Sequence, residues 1–398
     1  MLLSLSLTPV RAQQYITIQS EDLRAAGAPF FIHVETPASA DKLVLENTST
    51  GAVLALQPFQ GGQMVAILES PLPAGAKHRY VLRKRKRRDP KSTLVKALVE
   101  NGFVHMRVGD KEALWYALDE QHPGGGLPQH YRRSGFIHPA YSPGGAIVTD
   151  DFPAGHAHQH GIFMAWVNTL FQGRKVDFWN QHQETGTVAH WSLDTLISGP
   201  VFAEAIVHLR HIALESGPVL EERWSVRLYN SANPFIWEID SRQLNTSADT
   251  LHILEYHYGG LGIRGSASWN PSDSLHFQGE AKMATGKGDT RQAANHTHPG
   301  WAALYGPTPK GTAGIVAMEH PANFRYPQAI RVHPTMPYFC FAPMVDGAFD
   351  LVPGIPYESR YRFITFDGPP NEESLKAYFE DFGKPMVTPY LQPSGWRR

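Results

Sequence analysis

The chain has 398 residues, 42% of them apolar and 18% charged, so it is long enough for more than one domain with a buried core. Its 36 basic and 37 acidic residues give a net charge of −1, so the overall charge does not attract nucleic acid and we expect no nucleic-acid partner. The 35 glycines and 31 prolines follow no repeat. Together with 11% aromatic residues they favour a loop-rich β protein over a helical bundle or a collagen-like rod.

Residues 1–12 are typical of the apolar end of a secretory signal peptide, and 10–12 form an acceptable cleavage site. The segment lacks the basic residues of a complete signal, so a disordered or edge-strand N-terminus is the alternative. We expect a periplasmic or secreted protein. No other apolar run reaches the roughly 20 residues of a membrane span. The single cysteine, Cys340, permits no disulfide within the chain.

Residues 14–88 alternate between short apolar runs and turn-forming residues, which predicts a small β-sandwich of about seven strands. The clearest strand-like runs are 30–34, 43–45, 64–68 and 80–82. Six consecutive basic residues, 83–88, follow. They indicate either a patch for polyanions such as acidic glycans or a solvated segment whose charges discourage strand pairing.

Residues 96–385 contain longer strands with bulky aromatic residues, and they predict a large antiparallel double-sheet domain. The runs that carry this prediction are 104–108, 113–118, 205–209, 224–229, 235–240, 314–318, 338–341 and 361–366. One helix follows, with Asn371 as its N-cap and Gly383 at its end. The predicted fold class is therefore all-β, a small N-terminal sandwich followed by a large double-sheet domain with a C-terminal helix.

The stretch 149–166 carries three histidines at every second position, His156, His158 and His160. In a strand this spacing puts all three on one face, and in a loop they still lie close together. Three imidazoles are costly to bury as plain core because each ring nitrogen needs a partner. The stretch is therefore a candidate site.

Glu255 and His257 are also two residues apart, so a strand would point both in the same direction. With His156 and His158 they would form either a ligand set for a divalent metal or a metal-free acid–base site. A satisfied polar network is the third interpretation. We therefore take these four as candidate catalytic residues and as the candidate metal ligands. No other cofactor is indicated.

Further polar residues in the loops of the large domain complete the candidate site. Asp177 and His320 are assigned supporting catalytic roles. Six residues are assigned to substrate binding, because they supply guanidinium, imidazole, amide or aromatic groups suited to a sugar: Arg132, His138, Trp179, Arg264, Asn323 and Arg325.

These clusters, in this order between Leu114 and Asp367, resemble a bacterial family of unknown function whose members are often labelled PmoA-like. The resemblance rests on segments 136–139, 155–161, 176–179, 259–264, 319–327, 351–354 and 361–363. The family pattern His-Pro-His-His-Arg-Gly is matched by His156, His158 and Gly161, whereas Ala157, Gln159 and His160 depart from it. This departure leaves His156 and His158 as the favoured pair.

The resemblance implies a galactose-mutarotase-like supersandwich and a role in bacterial polysaccharide degradation. It does not support an oxygenase, since a membrane copper oxygenase subunit needs spanning helices. We therefore expect a secreted glycoside hydrolase or lyase that acts on a polysaccharide or oligosaccharide, including an acidic one. The alternatives are a non-catalytic glycan-binding protein and a metal-dependent sugar isomerase or redox enzyme. The sequence does not indicate an oligomeric state.

Overall fold

The computed structural model describes residues 14–33, 42–91 and 93–388. The described residues up to 91 form one compact unit together with 384–388, and Thr93–Gly383 form a second. Residues 1–12 lie outside the described residues, so the secretory signal stays a prediction.

The small unit consists of two four-stranded sheets with a shared apolar core. Strands are numbered along the chain. The first sheet has the order β1-β7-β3-β4, formed by β1 (Gln14–Gln19), β7 (Lys77–Lys84), β3 (Leu43–Asn47) and β4 (Val53–Ala55). The second has the order β28-β2-β6-β5, formed by β28 (Met386–Val387), β2 (Pro29–His33), β6 (Gln63–Ile67) and β5 (Gln57–Pro58). The predicted N-terminal sandwich is thus present.

The basic run 83–88 is split between a strand end and a turn. Arg83, on β7, is paired with Glu46 and with Asp89, 2.7 Å away. Lys86 lies exposed in the turn after the strand, and 87–88 are exposed as well. The first residue of the run therefore serves the local structure.

Two eight-stranded antiparallel sheets form the large unit. The front sheet has the order β24-β25-β20-β12-β11-β10-β9-β8, formed by β24 (Ile330–Val332), β25 (Tyr338–Phe341), β20 (Gly260–Arg264), β12 (Ile162–Ala165), β11 (Ile137–Ala140), β10 (Lys111–Ala117), β9 (Phe103–Val108) and β8 (Val95–Glu100). The back sheet has the order β15-β16-β17-β18-β27-β23-β22-β21, formed by β15 (Gly186–Ile197), β16 (Phe202–Ala213), β17 (Gly217–Tyr229), β18 (Phe235–Asn245), β27 (Pro356–Asp367), β23 (Gly311–Glu319), β22 (Trp301–Thr308) and β21 (Lys282–Thr285).

A smaller sheet and two helices complete this unit. The sheet has the order β14-β13-β19-β26, formed by β14 (Arg174–Val176), β13 (Thr169–Phe171), β19 (Leu251–Ile253) and β26 (Phe349–Leu351). The helices are α1 (Arg291–Ala294) and α2 (Glu372–Gly383). One hydrophobic cluster joins buried residues of the front and back sheets. The all-β, double-sheet prediction is confirmed.

Helix α2 begins and ends where the sequence predicts. The Asn371 side-chain oxygen accepts a hydrogen bond from the backbone N–H of Ser374 at 2.8 Å, which satisfies an N-terminal donor. Leu375, Tyr378 and Phe382 form its buried stripe. Within the described residues, the helices are all too short or too polar to cross a membrane.

Candidate active site

The outer face of the front sheet is the floor of the candidate site. On the opposite face, Phe341 of β25 packs against Tyr361 of the back sheet with ring centroids 5.3 Å apart, so that face lies towards the inter-sheet core. Leu261 is paired with Phe341 and shares its face, whereas Gly262 and Arg264 alternate to the other side. The outer face of β20 therefore presents a glycine and an arginine.

Trp179 covers this face at Gly262. A Cβ atom at position 262 would lie 2.6 Å from Cη2 of Trp179 and 3.0 Å from Cε1 of Phe163. The glycine is needed because it lets the indole lie directly on the strand. Trp179 is fully buried, so it forms part of the floor and does not offer an open stacking surface to a sugar.

The histidine stretch is a loop, so the strand interpretation is wrong, although two of its rings do lie close together. Residues 152–159 are turns and bends, closed by an antiparallel bridge between Asp151 and His160. The ring centroids of His156 and His158 are 5.7 Å apart. His333 lies 5.3 Å from His156, and His182 lies 5.7 Å from His158. Four imidazoles therefore form one row.

His160 does not belong to this row. It is fully buried, with Nδ1 2.6 Å from Oδ1 of Asp151 and Nε2 2.8 Å from Oε1 of Gln181. The Gln181 amide in turn donates to the backbone oxygen of Arg132 at 2.7 Å. Both ring nitrogens therefore take part in a network that holds the loop.

Burial keeps His156, His158 and His333 neutral. Desolvation is the largest cause that lowers the pKa of His158 to about 3. Repulsion from neighbouring histidines when they are protonated, and from Arg264, lowers the pKa in the same direction. Burial, His156 and nearby arginines lower the pKa of His333 to about 4. The pKa of His156 is lowered by burial and by Arg264, and its Nδ1 is buried without a hydrogen-bond partner among the described residues. At neutral pH these imidazoles are proton acceptors.

Arg264 is a fully buried guanidinium with one edge unused. Its Nη1 donates to Oε1 of Gln159 at 3.0 Å, whereas Nε and Nη2 have no partner within the described parts of the chain. Nε and Nη2 form the edge that binds a carboxylate through two parallel hydrogen bonds. Burial lowers the pKa of Arg264 to about 10, opposed by Asp150. Burial raises the pKa of Asp150 to about 7, so this carboxyl group compensates the guanidinium only in part.

Asp177 positions one wall of the site. Its carboxylate accepts hydrogen bonds from the backbone N–H groups of Trp179 at 2.9 Å and Asn180 at 2.7 Å. The Asn180 amide donates both to Asp177, at 2.7 Å, and to the Tyr258 hydroxyl, at 2.8 Å. Asp177 therefore holds Trp179 and Asn180 in place, and both of its carboxylate oxygens already accept hydrogen bonds.

The predicted pair Glu255 and His257 is not assembled with the histidines. Both residues are exposed and lie in the irregular link 254–259 between β19 and β20. His257 packs beside Tyr258 with ring centroids 4.7 Å apart, at the rim of the site. Because the link is not a strand, the spacing of two residues does not fix a common direction for the two side chains. Glu255 therefore does not face the histidines, as the predicted acid–base role requires.

The four residues assigned to a metal do not form a ligand set. The described residues contain no group of three or more histidine, cysteine, aspartate or glutamate side chains placed to share one ion. His156 and His158 have His333 and His182 as their nearest ring neighbours, so carboxylate ligands are missing from the row. The geometry does not support the metal alternative.

The predicted residues His320, Asn323 and Arg325 hold loops elsewhere. His320 packs on Phe382 of α2, and its Nδ1 accepts from the backbone of Ala322 at 3.1 Å. Asn323 exchanges hydrogen bonds of 3.0 and 2.8 Å with the backbone of Arg360. Arg325 donates to the carbonyl oxygens of residues 343, 347 and 348. Their polar groups are thus used within the protein.

Arg132 and His138 line two separate clefts. Arg132 is exposed, 3.3 Å from Glu120, beside a cleft of about 440 Å³. His138 lines a cleft of about 540 Å³ with Asp150, and its Nδ1 lies 3.0 Å from the Thr149 hydroxyl. Burial lowers the pKa of His138. Of the six residues assigned to substrate binding, Arg264 and Trp179 lie at the histidine row.

His182, His333, Tyr258 and Arg331 carry no catalytic, binding or metal-ligand assignment from the sequence. Arg331 and His333 are two residues apart at the end of β24, the same spacing that drew attention to His156 and His158. That spacing was the available signal. The pairing of His333 with His156 joins residues far apart in the chain, which no local pattern reports.

Comparison with solved structures finds weak similarities. The chain is 12% identical to heparan sulfate lyase HepC from Pedobacter heparinus, covering 73% of this chain and 38% of that one with a TM-score of 0.35. It is 7% identical to an alpha-mannosidase from Enterococcus faecalis V583, covering 94% of this chain and 46% of that one with a TM-score of 0.42. It is 9% identical to a galactose mutarotase related enzyme from Lactobacillus acidophilus, covering 69% of this chain and 97% of that one with a TM-score of 0.30. The chain thus spans less than half of the first two proteins, and the scores are too low to indicate a function.

No curated protein matches the sequence. A family model described as a family of unknown function, DUF6807, matches residues 104–380. The match includes the histidine loop, Arg264 and His333, and it carries no PmoA label. The chain therefore belongs to the DUF6807 family.

Proposed function

We propose that the chain is a carbohydrate-active enzyme of the lyase type that acts on an acidic sugar in a polysaccharide or oligosaccharide. The observation that carries this proposal is the unused Nε–Nη2 edge of Arg264, buried among neutral imidazoles. The antiparallel double sheet supports the supersandwich implied by the family resemblance. The apolar residues 1–12 support a site of action outside the cytoplasm.

Arg264 binds the sugar carboxylate in this proposal. A guanidinium edge matches a carboxylate in shape and charge, and both are shielded from water here. Binding also activates the neighbouring C–H group, since negative charge that develops on the carboxylate is stabilised by the two N–H groups. A buried charge that lacks a partner in the protein is costly, and a bound anion removes that cost.

His156 is the candidate base. Its neutral, unpartnered Nδ1 accepts the proton on the carbon next to the carboxylate. The C–H electron pair forms a carbon–carbon double bond, and the C–O bond at the next carbon breaks with its electrons going to the leaving oxygen. Tyr258 is the candidate acid for that oxygen, since burial raises the pKa of its phenol and keeps it protonated.

The residues favour elimination over hydrolysis. Glycoside hydrolysis relies on two carboxylates placed across the bond that breaks. Around Arg264 the row of groups consists of imidazoles, Asp151 is hydrogen-bonded to His160, and Glu255 is exposed in the 254–259 link. Asp150 is then the carboxyl group that remains near the guanidinium, and one carboxyl group does not make the pair that hydrolysis uses. Proton abstraction beside a carboxylate needs a base and a cation, and both are present.

The test is an assay on a panel of uronate-containing oligosaccharides, followed by ultraviolet absorbance of the unsaturated sugar that elimination creates. We expect wild-type activity on at least one member. Arg264→Met should lower kcat/KM by about a hundredfold or more, since it removes a charge that acts on the transition state. Arg242→Met, which removes an exposed arginine of the back sheet, is the matched control and should retain activity within about threefold.

Three other results contradict the proposal. New reducing ends without absorbance would indicate a hydrolase. Binding of the oligosaccharides by wild type without turnover would indicate a glycan-binding protein. Neither binding nor turnover across the panel would remove the acidic-sugar assignment.

A further inference from the structure

A second guanidinium, that of Arg331, lies on the same face of the front sheet as Arg264. Arg331 of β24 is paired with Cys340 of β25, which is paired in turn with Gly262 of β20. Arg264 is two residues further along β20 and shares the outer face with Gly262. The strand spacing and rise place the α-carbons of the two arginines about 12 Å apart.

Arg331 is held at the rim without an acidic partner. Its Nη1 donates to Oδ1 of Asn295, an uncharged amide, at 2.9 Å. Burial lowers the pKa of both His257 and His333, and the charge of Arg331 contributes to each shift, so its guanidinium lies near both rings. No carboxylate of the described residues lies within ion-pair distance of it.

The two arginines give this face of the front sheet two positive charges, neither of them in an ion pair within the described residues. Burial keeps His158 and His333 neutral at pH 7, so they add no charge. Asp150, the acid nearest to Arg264, makes no ion pair with it and is partly protonated near neutrality. A surface with one sign of charge concentrates ligands of the opposite sign.

We infer that the site takes a chain of acidic sugars, with Arg264 on the carboxylate of the reacting residue and Arg331 on an anionic group of a neighbouring residue. This inference rests on the proposed function. Arg264 is anchored by Gln159 and Arg331 by Asn295, and their α-carbons are about 12 Å apart, so we assign each guanidinium its own anionic group. The second anionic group is a carboxylate or a sulfate.

Titration calorimetry with ligands of increasing length tests this inference. All proteins carry His156→Gln so that the ligand is not consumed. The probes are galacturonate and its dimer and trimer, which bear carboxylates alone, and sulfated glucuronate-containing oligomers, at low and moderate salt. Arg331→Gln is compared with Arg242→Gln, an exposed arginine of the back sheet that is 3.4 Å from Glu358 and gives the same change in charge.

With Arg331 in place, we expect a trimer to bind tighter than a monomer, with a steeper loss of affinity as salt rises. Arg331→Gln should weaken the trimer by about tenfold to a hundredfold and leave the monomer unchanged. Arg242→Gln should change neither. An effect confined to the sulfated series identifies the second group as a sulfate, and an effect in both series identifies it as a carboxylate.

Two results overturn the inference, and they differ in what they say about the proposed function. If Arg331→Gln leaves the ratio of trimer to monomer affinity at its starting value, the second anion site is wrong, and the lyase proposal stands. If no acidic sugar of either series binds even with wild-type arginines, both are wrong. Thermal unfolding of each variant confirms that a loss of binding is not a loss of fold.

Discussion

Two buried arginines of the large unit differ in how the protein uses them. Arg362, on β27 of the back sheet, is 2% exposed, and Arg264, on the front sheet, is fully buried. Arg362 donates to Oε1 of Glu238 at 2.9 and 2.6 Å and to Oδ2 of Asp381 at 3.0 Å. Arg264 makes one side-chain hydrogen bond, to an uncharged amide.

The difference separates a structural charge from one that awaits a ligand. Burial alone would lower the pKa of Arg362, but Glu238 and Asp381 raise it above its ordinary value. Burial lowers the pKa of Arg264 to about 10, and the opposing effect of Asp150 is too small to restore it. Taking a guanidinium out of water costs several kcal/mol unless it is paired. Arg362 is compensated within the fold and joins α2 to the back sheet, whereas Arg264 is not compensated.

Removal of each charge should therefore have opposite consequences for stability. Arg362→Met leaves Glu238 and Asp381 buried without their cation, and we expect it to lower the free energy of unfolding by about 3–5 kcal/mol. Arg264→Met removes an unpaired charge, so the change should stay within about 1 kcal/mol or be stabilising. Urea unfolding at pH 7 measures both. Equal destabilisation by the two variants would show that Arg264 is balanced by a partner within the protein.

The fold was largely predictable from local patterns. Segment 224–229 was recognised by its alternation, and α2 by its cap at Asn371 and its apolar stripe. The structure extends many strands beyond the apolar runs. The run 205–209, for example, lies within the 12-residue strand β16, Phe202–Ala213. Backbone pairing continues past the buried centre of a sheet into polar residues, where the side-chain pattern no longer reports it.

The site was predictable only where its residues are neighbours in the chain. His156 and His158 were found because a short loop carries both. The position of Glu255 differs from the prediction because its two-residue spacing from His257 fixes a common direction only in a strand, and the chain forms an irregular link there. Asn323 and Arg325 have the chemistry of ligand-binding residues, but backbone groups of nearby loops use their hydrogen bonds. Residue type alone does not tell whether a polar group is already satisfied.

The pocket of Arg264 depends on close packing, which the substitution Gly262→Ala would disturb. The new methyl group would lie 2.6 Å from the Trp179 ring, so the indole must move. We expect a loss of about 1–3 kcal/mol in the free energy of unfolding and a change in tryptophan fluorescence. Gly124→Ala is the matched control, because a Cβ atom there meets nothing within 4 Å. If Gly262→Ala is as stable as Gly124→Ala, Trp179 does not press on the strand and the floor is looser than described.

The pH dependence of stability sharpens the contrast, since the front-sheet pocket is lined by neutral imidazoles and the back-sheet network by paired charges. The pKa of His158 is about 3 and that of His333 about 4 in the folded protein, below the ordinary value of 6.5. The unfolded chain therefore binds more protons than the folded one between about pH 6.5 and 4, so stability falls as pH falls through this window.

His158→Gln removes one of these protonation sites and should reduce the slope of unfolding free energy against pH by at most about 1.4 kcal/mol per pH unit. His122→Gln, at an exposed histidine, serves as the control, with urea unfolding at several pH values as the measurement. Because carboxylates such as Glu238 contribute to acid destabilisation in every variant, the difference in slope between the two histidine variants isolates the pocket. Identical slopes would mean that His158 is hydrated and protonates as readily in the folded protein as in the unfolded chain, which would also remove the reason for treating its neighbours as neutral bases.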